Sequence, residues 1–138
     1  MYQIYFLSII INLIVGVFLA RSIIAGRIPA LGKLLGDIEK EKAFRLVGGI
    51  AAVFVGFLKL LLVPEGDVPI LGDLFPALAG MLAGKTLLSE YFQEKSPSPL
   101  PEKLGRVADF LIANKEIWGI AALVSAVLHF FFNKALFL

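Results

Sequence analysis

The sequence predicts an all-α integral membrane protein: a four-helix bundle with short interfacial amphipathic helices in its two cytoplasmic connections. The 138 residues are 59% apolar with a mean hydropathy of +0.88. That value is too high for a chain that must cover its surface with polar groups. Charged residues make up 17% of the chain and are gathered between long apolar stretches. Lipid is therefore the expected surroundings of those stretches.

Four apolar stretches reach the roughly 20 residues that a helix needs to cross a bilayer. They form a single transmembrane domain, residues 1–138, with spans at residues 3–25, 44–63, 70–91 and 117–137. The stretches lack the alternating pattern of membrane-spanning strands, so helices are predicted. The first stretch has no preceding Lys or Arg and places Phe18 at the −3 position of its best cleavage site. It is therefore predicted to be a retained helix and not a signal peptide.

The distribution of Lys and Arg predicts the orientation of the chain. Basic residues concentrate in the first and third connections and their borders, whereas the second connection carries only Glu65 and Asp67 as charged residues. Because cytoplasmic loops are enriched in Lys and Arg, both termini are predicted to lie outside and the first and third connections in the cytoplasm. Tyr2 and Tyr5 then mark the outer boundary. The expected location is a bacterial inner membrane.

Each cytoplasmic connection contains an amphipathic helical pattern, at residues 29–40 and 102–113. The apolar positions recur at i, i+3, i+4 and i+7. They are Leu31, Leu34, Leu35 and Ile38 in the first, and Leu104, Val107, Ala108 and Leu111 in the second. These helices are expected to lie in the membrane interface. The alternative is that they dock a soluble protein partner.

A short motif recurs along the chain. Residues 26–35 match residues 66–75 at five of ten positions, and residues 100–105 repeat the pattern more weakly. The motif is an apolar residue, Pro and then Leu-Gly; its turn residues are Pro29, Gly32, Pro69, Gly72, Pro101 and Gly105. Pro suits the first turn of a helix, and the following Gly is expected to allow close backbone approach. The pattern is either an inverted repeat, as in many transporters, or a recurrent helix start without common ancestry.

Small residues at four-residue spacing predict where the spans touch, because they let helix backbones approach closely. The second and third spans carry such seams, at Gly48, Ala52 and Gly56 and at Ala77, Gly80 and Gly84. A short loop joins these spans. They are therefore expected to form an antiparallel pair at the centre of the bundle.

Polar residues within the spans define two candidate sites. Lys59 and Asp73 fall at similar depth below the outer surface and can form an ion pair or a substrate or proton site. His129, the one histidine of the chain, is expected nearer the middle of the membrane. With Asn12 and Asn133 it forms the second candidate site. A purely structural hydrogen-bonding role is the alternative for these residues.

The residue inventory argues against most enzymes. The chain has no cysteine, one histidine and 11 carboxylates, without metal-ligand spacing, a phosphate-binding loop or a nucleophile motif. No cofactor, metal or enzymatic activity is expected. The basic residues flank apolar spans, so nucleic acid is not an expected partner. The sequence favours a transporter or channel subunit for an ion or small solute, acting as a homo-oligomer. The alternative is a scaffold or assembly partner that binds other proteins through its Gly/Ala seams and cytoplasmic helices.

Overall fold

The computed structural model describes residues 2–62, 73–95 and 100–132. Within these ranges the chain forms seven helices and no strand, which confirms the prediction of an all-α protein. The helices are α1 Tyr2–Leu19, α2 Arg21–Arg27, α3 Pro29–Glu39, α4 Lys42–Leu61, α5 Leu74–Lys95, α6 Glu102–Ala113 and α7 Lys115–Phe131.

The four longest helices, α1, α4, α5 and α7, pack against one another, and we call them the four-helix core. They have 18, 20, 22 and 17 residues, so each is about 25–33 Å long at 1.5 Å per residue. The most extensive contacts join α4 to α5 and α1 to α7. Tyr5 at the start of α1 meets His129 at the end of α7, and Lys59 at the end of α4 meets Asp73 just before α5. Both pairs are therefore antiparallel.

The first predicted span is not one straight helix. The prediction covered residues 3–25, but α1 ends at Leu19 and α2 turns away from it by 75°. Polar contacts hold the bend: Arg21 pairs with Glu39, and Ser22 donates to Glu116. Hydropathy alone could not reveal these long-range partners.

A second bend of 64° separates α6 from α7. The Asn114 side chain donates to the Phe110 carbonyl at 2.8 Å, which satisfies one of the exposed carbonyls at the end of α6. Helix α7 then starts at Lys115, two residues before the predicted span. Of the helices described, α4 alone is long and apolar enough to cross a membrane. The count rises to three if each bent pair, α1 with α2 and α6 with α7, is one span.

The four-helix core exposes many large apolar side chains and buries several polar ones. Val47 is 65% exposed and Phe54 58%, whereas Ser125 is fully buried. Large apolar side chains also face outward from α1 and α7, including Phe6, Ile10, Ile14, Ile120, Val124 and Val127.

Glycines set the closest helix approaches, although not all at the predicted positions. A methyl group on Gly84 would lie 2.7 Å from the Gly49 carbonyl oxygen, so these two residues form the α4–α5 crossing. Gly56 makes a similar approach to Ala77. Gly48, also predicted to be a packing residue, has a looser contact, because a methyl group there would lie an ordinary 3.7 Å from Leu87.

Two further features of packing differ from the predicted seams. Gly80 faces α1 instead of α4, and a methyl group on it would lie 2.5 Å from the side-chain oxygen of Asn12. Gly16 and Gly119 form a second crossing, between α1 and α7, where a methyl group on either would lie 2.9 Å from the other's carbonyl oxygen. Gly119 was not among the predicted packing residues because it stands alone in its apolar segment.

The Pro-Leu-Gly motifs mark helix starts where they are described. Pro29 begins α3 and Pro101 immediately precedes α6, and the bounds of both helices agree with the predicted residues 29–40 and 102–113. Gly32 packs closely against Ala25, whereas a methyl group on Gly105 would lie an ordinary 3.8 Å from the Leu100 carbonyl oxygen. Pro69 and Gly72 lie outside the described residues.

Candidate functional site

Three ionisable side chains meet at one end of the four-helix core: Lys59, Asp73 and His129. The Lys59 ammonium nitrogen lies 2.6 Å from Asp73 Oδ1 and 3.1 Å from His129 Nε2. His129 Nε2 is 3.4 Å from the same Asp73 oxygen. We call these residues the charged cluster. The structure thus joins the predicted Lys59–Asp73 pair with His129 in a single site.

Local structure explains why these residues reach the same level. Lys59 is in the last turn of α4 and His129 in the last turn of α7, where the helix dipole favours positive charge. Asp73 directly precedes α5, where the dipole favours negative charge, and its backbone carbonyl accepts from the Ala77 amide. Pro76 fits the first turn of α5 because its missing N–H would have no helical partner there.

The charged cluster is enclosed by protein. Lys59 is 3% exposed, Asp73 7% and His129 1%. Moving a charge from water into the protein interior costs roughly several kcal/mol unless an opposite charge and hydrogen bonds compensate for the lost hydration. The short Lys59–Asp73 contact supplies that compensation.

Tyr5 closes the charged cluster from the side of α1, a role that the sequence did not indicate. Its hydroxyl donates to the His129 backbone carbonyl, and its ring centroid lies 4.4 Å from that of His129. The Lys59 nitrogen lies 5.1 Å from the centre of the Tyr5 ring, within cation–π range. Tyr5 was expected only to mark the membrane boundary. The sequence did contain one signal that Tyr5 faces the interior. Tyr5, Ser8 and Asn12 are spaced at i, i+3 and i+7 on one helix face, and Ser8 and Asn12 are buried.

Asn12 makes its hydrogen bond to the first turn of α5. Its side-chain nitrogen donates to the Pro76 carbonyl at 3.0 Å, and its oxygen packs on Gly80. Asn12 therefore joins α1 to the backbone of α5. His129 is instead in contact with Lys59, and the second site of His129 with Asn12 stays a prediction. Asn133 lies outside the described residues.

Three buried polar atoms on α7 have no hydrogen-bond partner among the described residues: Trp118 Nε1 near the start of the helix, and Ser125 Oγ and His129 Nδ1 nearer its end. The last two concern the charged cluster. They lie one helical turn apart on the inward face of α7, and Ser125 is fully buried. An unsatisfied buried polar group costs about 1–3 kcal/mol. Such atoms call for an explanation, and sequence reasoning did not single out Ser125 as a site residue.

An apolar layer follows the charged cluster along the helix axes. It consists of Val15, Phe18, Leu19, Ala52, Ala83, Leu87 and Ala122, contributed by all four helices of the core. These side chains are at most 5% exposed. The layer separates the charged cluster from the opposite end of the core.

That opposite end carries a network of ion pairs, which the sequence did not predict. Arg45 lies among Glu39, Glu90 and Glu94, and Lys115 pairs with Glu90 at 3.0 Å. A cavity of about 70 Å³ opens here, lined by Phe18, Leu19, Arg21, Ser22, Glu39, Glu90 and Lys115. Residues from α2, α3, α4, α5 and α7 are thereby tied together.

The described part of the chain brings together no three His, Cys, Asp or Glu side chains that could hold a metal ion. Neighbouring groups in the charged cluster can exchange protons, because a lysine, a carboxylate and an imidazole lie within 3.4 Å of one another. Proton binding and electrostatic binding of a small polar solute are the chemistry these groups offer.

The chain belongs to a family of uncharacterised proteins, whose family model matches residues 1–129. An uncharacterised protein of Treponema pallidum (strain Nichols) is 32% identical over 135 residues, which cover 97% of each chain. No solved structure matches this chain.

Proposed function

We propose that the protein is a multi-pass membrane protein in which all four helices of the core cross the bilayer. The support is the surface of the core: large apolar residues of α1, α4 and α7 face outward, while Lys59, Asp73, His129 and Ser125 are buried. Helices of about 25–33 Å match the roughly 30 Å hydrocarbon thickness. The charged cluster then lies near the outer surface and the ion-pair network at the cytoplasmic surface of an inner membrane.

Within this arrangement we infer a transporter or channel subunit for an ion or small solute. The charged cluster is the observation that carries the inference. Ionisable residues inside membrane helices are expensive, and they commonly mark ion or substrate pathways. Polar groups lie at both ends of the core, with the apolar layer between them acting as a barrier to flux.

The same barrier supports a homo-oligomer. Four helices enclose little more than their own side chains, and the apolar layer closes the described core of one protomer. A pathway requires either movement of these helices or a second copy alongside. The outward apolar stripes of α4 and α7 are surfaces on which such a copy can pack in lipid.

The packed interior also favours a second function, a non-transport scaffold or assembly partner. Tightly packed Ala and Gly residues and structural ion pairs are what a rigid scaffold needs. Helix α6 presents Leu104, Val107 and Phe110, each more than half exposed, beside the cytoplasmic surface. Interfacial lipid or another protein can cover this stripe.

Flux measurements on purified protein in liposomes test the transport function. We expect the wild type to carry protons, a monovalent cation or a small polar solute, and Asp73→Asn and His129→Ala to abolish that flux. Thr86→Val is the matched control. It removes a fully buried hydroxyl that hydrogen-bonds within α5 to Leu82, outside the charged cluster.

Each variant needs a stability measurement alongside its flux, so that misfolding is not scored as lost transport. A folded Asp73→Asn and a folded His129→Ala that transport at the wild-type rate would exclude the charged cluster from the pathway. Absence of any wild-type flux, combined with recovery of a stable partner after mild solubilisation, would favour the scaffold.

A further inference from the structure

Two of the unpartnered atoms of α7, Ser125 Oγ and His129 Nδ1, point to a small polar ligand beside the charged cluster. Ser125 is fully buried and His129 is 1% exposed, yet neither Ser125 Oγ nor His129 Nδ1 has a hydrogen-bond partner among the described residues. The two side chains are four residues apart, so they lie on the same face of the helix. Gly119, Ala122 and Ala126 complete the inward face of α7 with small side chains.

The charged cluster fixes which imidazole nitrogen carries the proton. Lys59 is an ammonium donor without acceptor capacity, and its nitrogen lies 3.1 Å from His129 Nε2. Nε2 must therefore accept, and the neutral imidazole carries its hydrogen on Nδ1. Nδ1 is then a buried donor that needs an acceptor. The nearby Ser125 hydroxyl can both donate and accept.

We propose that His129 Nδ1 and Ser125 Oγ bind a single water molecule, and that His129 relays protons between this water and the Lys59–Asp73 pair. The water accepts from Nδ1–H and exchanges hydrogen bonds with the Ser125 hydroxyl. Buried water molecules typically occupy such positions, where they pair with polar groups that have no other partner. The relay rests on the proposed transport function and assigns the proton as the transported or coupled ion.

The proton transfer balances within the named groups. The Lys59 ammonium passes a proton to Nε2, and Nδ1 passes its proton to the water, so that a neutral lysine, a neutral imidazole and a hydronium result. The imidazole now carries its hydrogen on Nε2, which faces Asp73 Oδ1 at 3.4 Å. Return of that proton to Lys59 and recapture of one at Nδ1 restore the starting state.

Nitrogen NMR of the single histidine tests the water site without any transport assay. Because His129 is the one histidine in the chain, ¹⁵N-histidine labelling of the full protein in lipid gives one assignable ring. At neutral pH we expect a neutral imidazole protonated on Nδ1, with magnetisation exchange between the Nδ1 proton and water. Ser125→Ala is expected to abolish that exchange, whereas Thr86→Val keeps it.

The opposite tautomer, or the absence of water exchange in the wild type, would overturn the water site. The variants His129→Asn and His129→Gln test the relay. The asparagine amide reaches the position of Nδ1 and the glutamine amide that of Nε2, but neither amide transfers protons. Both are expected to abolish proton flux in vesicles that carry a pH-sensitive dye. Wild-type transport of a solute or another cation without proton movement would refute the relay and leave the proposed transport function standing.

Discussion

Lys59 and Asp73 depend on each other because both are buried. Their contact of 2.6 Å offsets the cost of removing two charges from water, and Tyr5 and His129 enclose them. An exposed pair such as Arg106 with Glu102 has solvent available to both partners and gains little from the contact. An ion pair therefore contributes very differently to stability in the buried and the exposed setting.

Removing one charge of the buried pair is expected to destabilise the protein strongly. Asp73→Asn leaves a buried ammonium without its carboxylate, which costs about 3–5 kcal/mol. The double variant Lys59→Met with Asp73→Asn leaves no buried charge and is expected to recover most of that loss. Thermal unfolding in detergent, followed by circular dichroism, measures both effects.

Glu102→Gln is the control for this comparison, because it breaks an exposed pair that contributes about 0–1 kcal/mol. A double variant that is no more stable than Asp73→Asn alone would show that the two charges do not stabilise each other. Equal losses from Glu102→Gln and Asp73→Asn would contradict the role assigned to burial.

At the scale of helices, the close crossings decide how the core packs. Gly49 faces Gly84 between α4 and α5, and Gly16 faces Gly119 between α1 and α7. In lipid, helix association relies on close packing and hydrogen bonds, because the surrounding acyl chains are as apolar as leucine. Small residues at these crossings therefore let the helix backbones approach closely.

Two alanine substitutions with opposite expected effects test the α4–α5 crossing. Gly84→Ala forces a methyl group against the Gly49 carbonyl and is expected to lower stability by about 1–3 kcal/mol. Gly48→Ala, one residue from the crossing, meets only an ordinary contact and removes a helix glycine, so it is expected to be neutral or stabilising by up to ~1 kcal/mol. Detergent unfolding curves compare the two.

The bends matter at this scale too. They turn α2 and α6 away from the axes of the core. At the same end of the core, Arg45 and its glutamate partners join α3, α4 and α5. Helix α6 packs Ala108 and Leu111 inward and leaves its other apolar residues on the surface. That geometry suits a helix lying along a membrane surface, which stays a prediction.

For the whole molecule, the arrangement of charge along the helix axes predicts a topology. The starts of α1 and α5 and the ends of α4 and α7 share one end of the core, and the basic connections lie at the other. Because positively charged connections stay in the cytoplasm, the charged cluster is predicted to face outward.

Cysteine labelling tests this topology without background, since the chain contains no cysteine. A membrane-impermeant maleimide added to intact cells or spheroplasts is expected to modify Gln3→Cys. Lys40→Cys and Lys103→Cys are expected to react only after permeabilisation. Labelling of all three positions from the same side would refute four crossings with the proposed orientation.

The sequence by itself determined the helical class, the bounds of α3 and α6 and the apolar surface of the core. These follow from local periodicity, from Pro at helix starts and from the sheer length of the apolar stretches. The sequence also predicted that Lys59 and Asp73 lie at a similar depth below the outer surface, because Lys59 comes five residues before Pro64 and Asp73 four residues after Pro69.

Only the tertiary structure decided which helix faces meet. Helix rotation and long-range contact decide the bend at Ala20 and the use of Gly49 instead of Gly48 at the α4–α5 crossing. They also decide that Tyr5 and His129 join the charged cluster and that ion pairs form around Arg45. A one-residue change turns a helix face by about 100° while leaving hydropathy nearly unchanged. Apolar composition therefore sets how far each helix extends, and packing between helices sets what it touches.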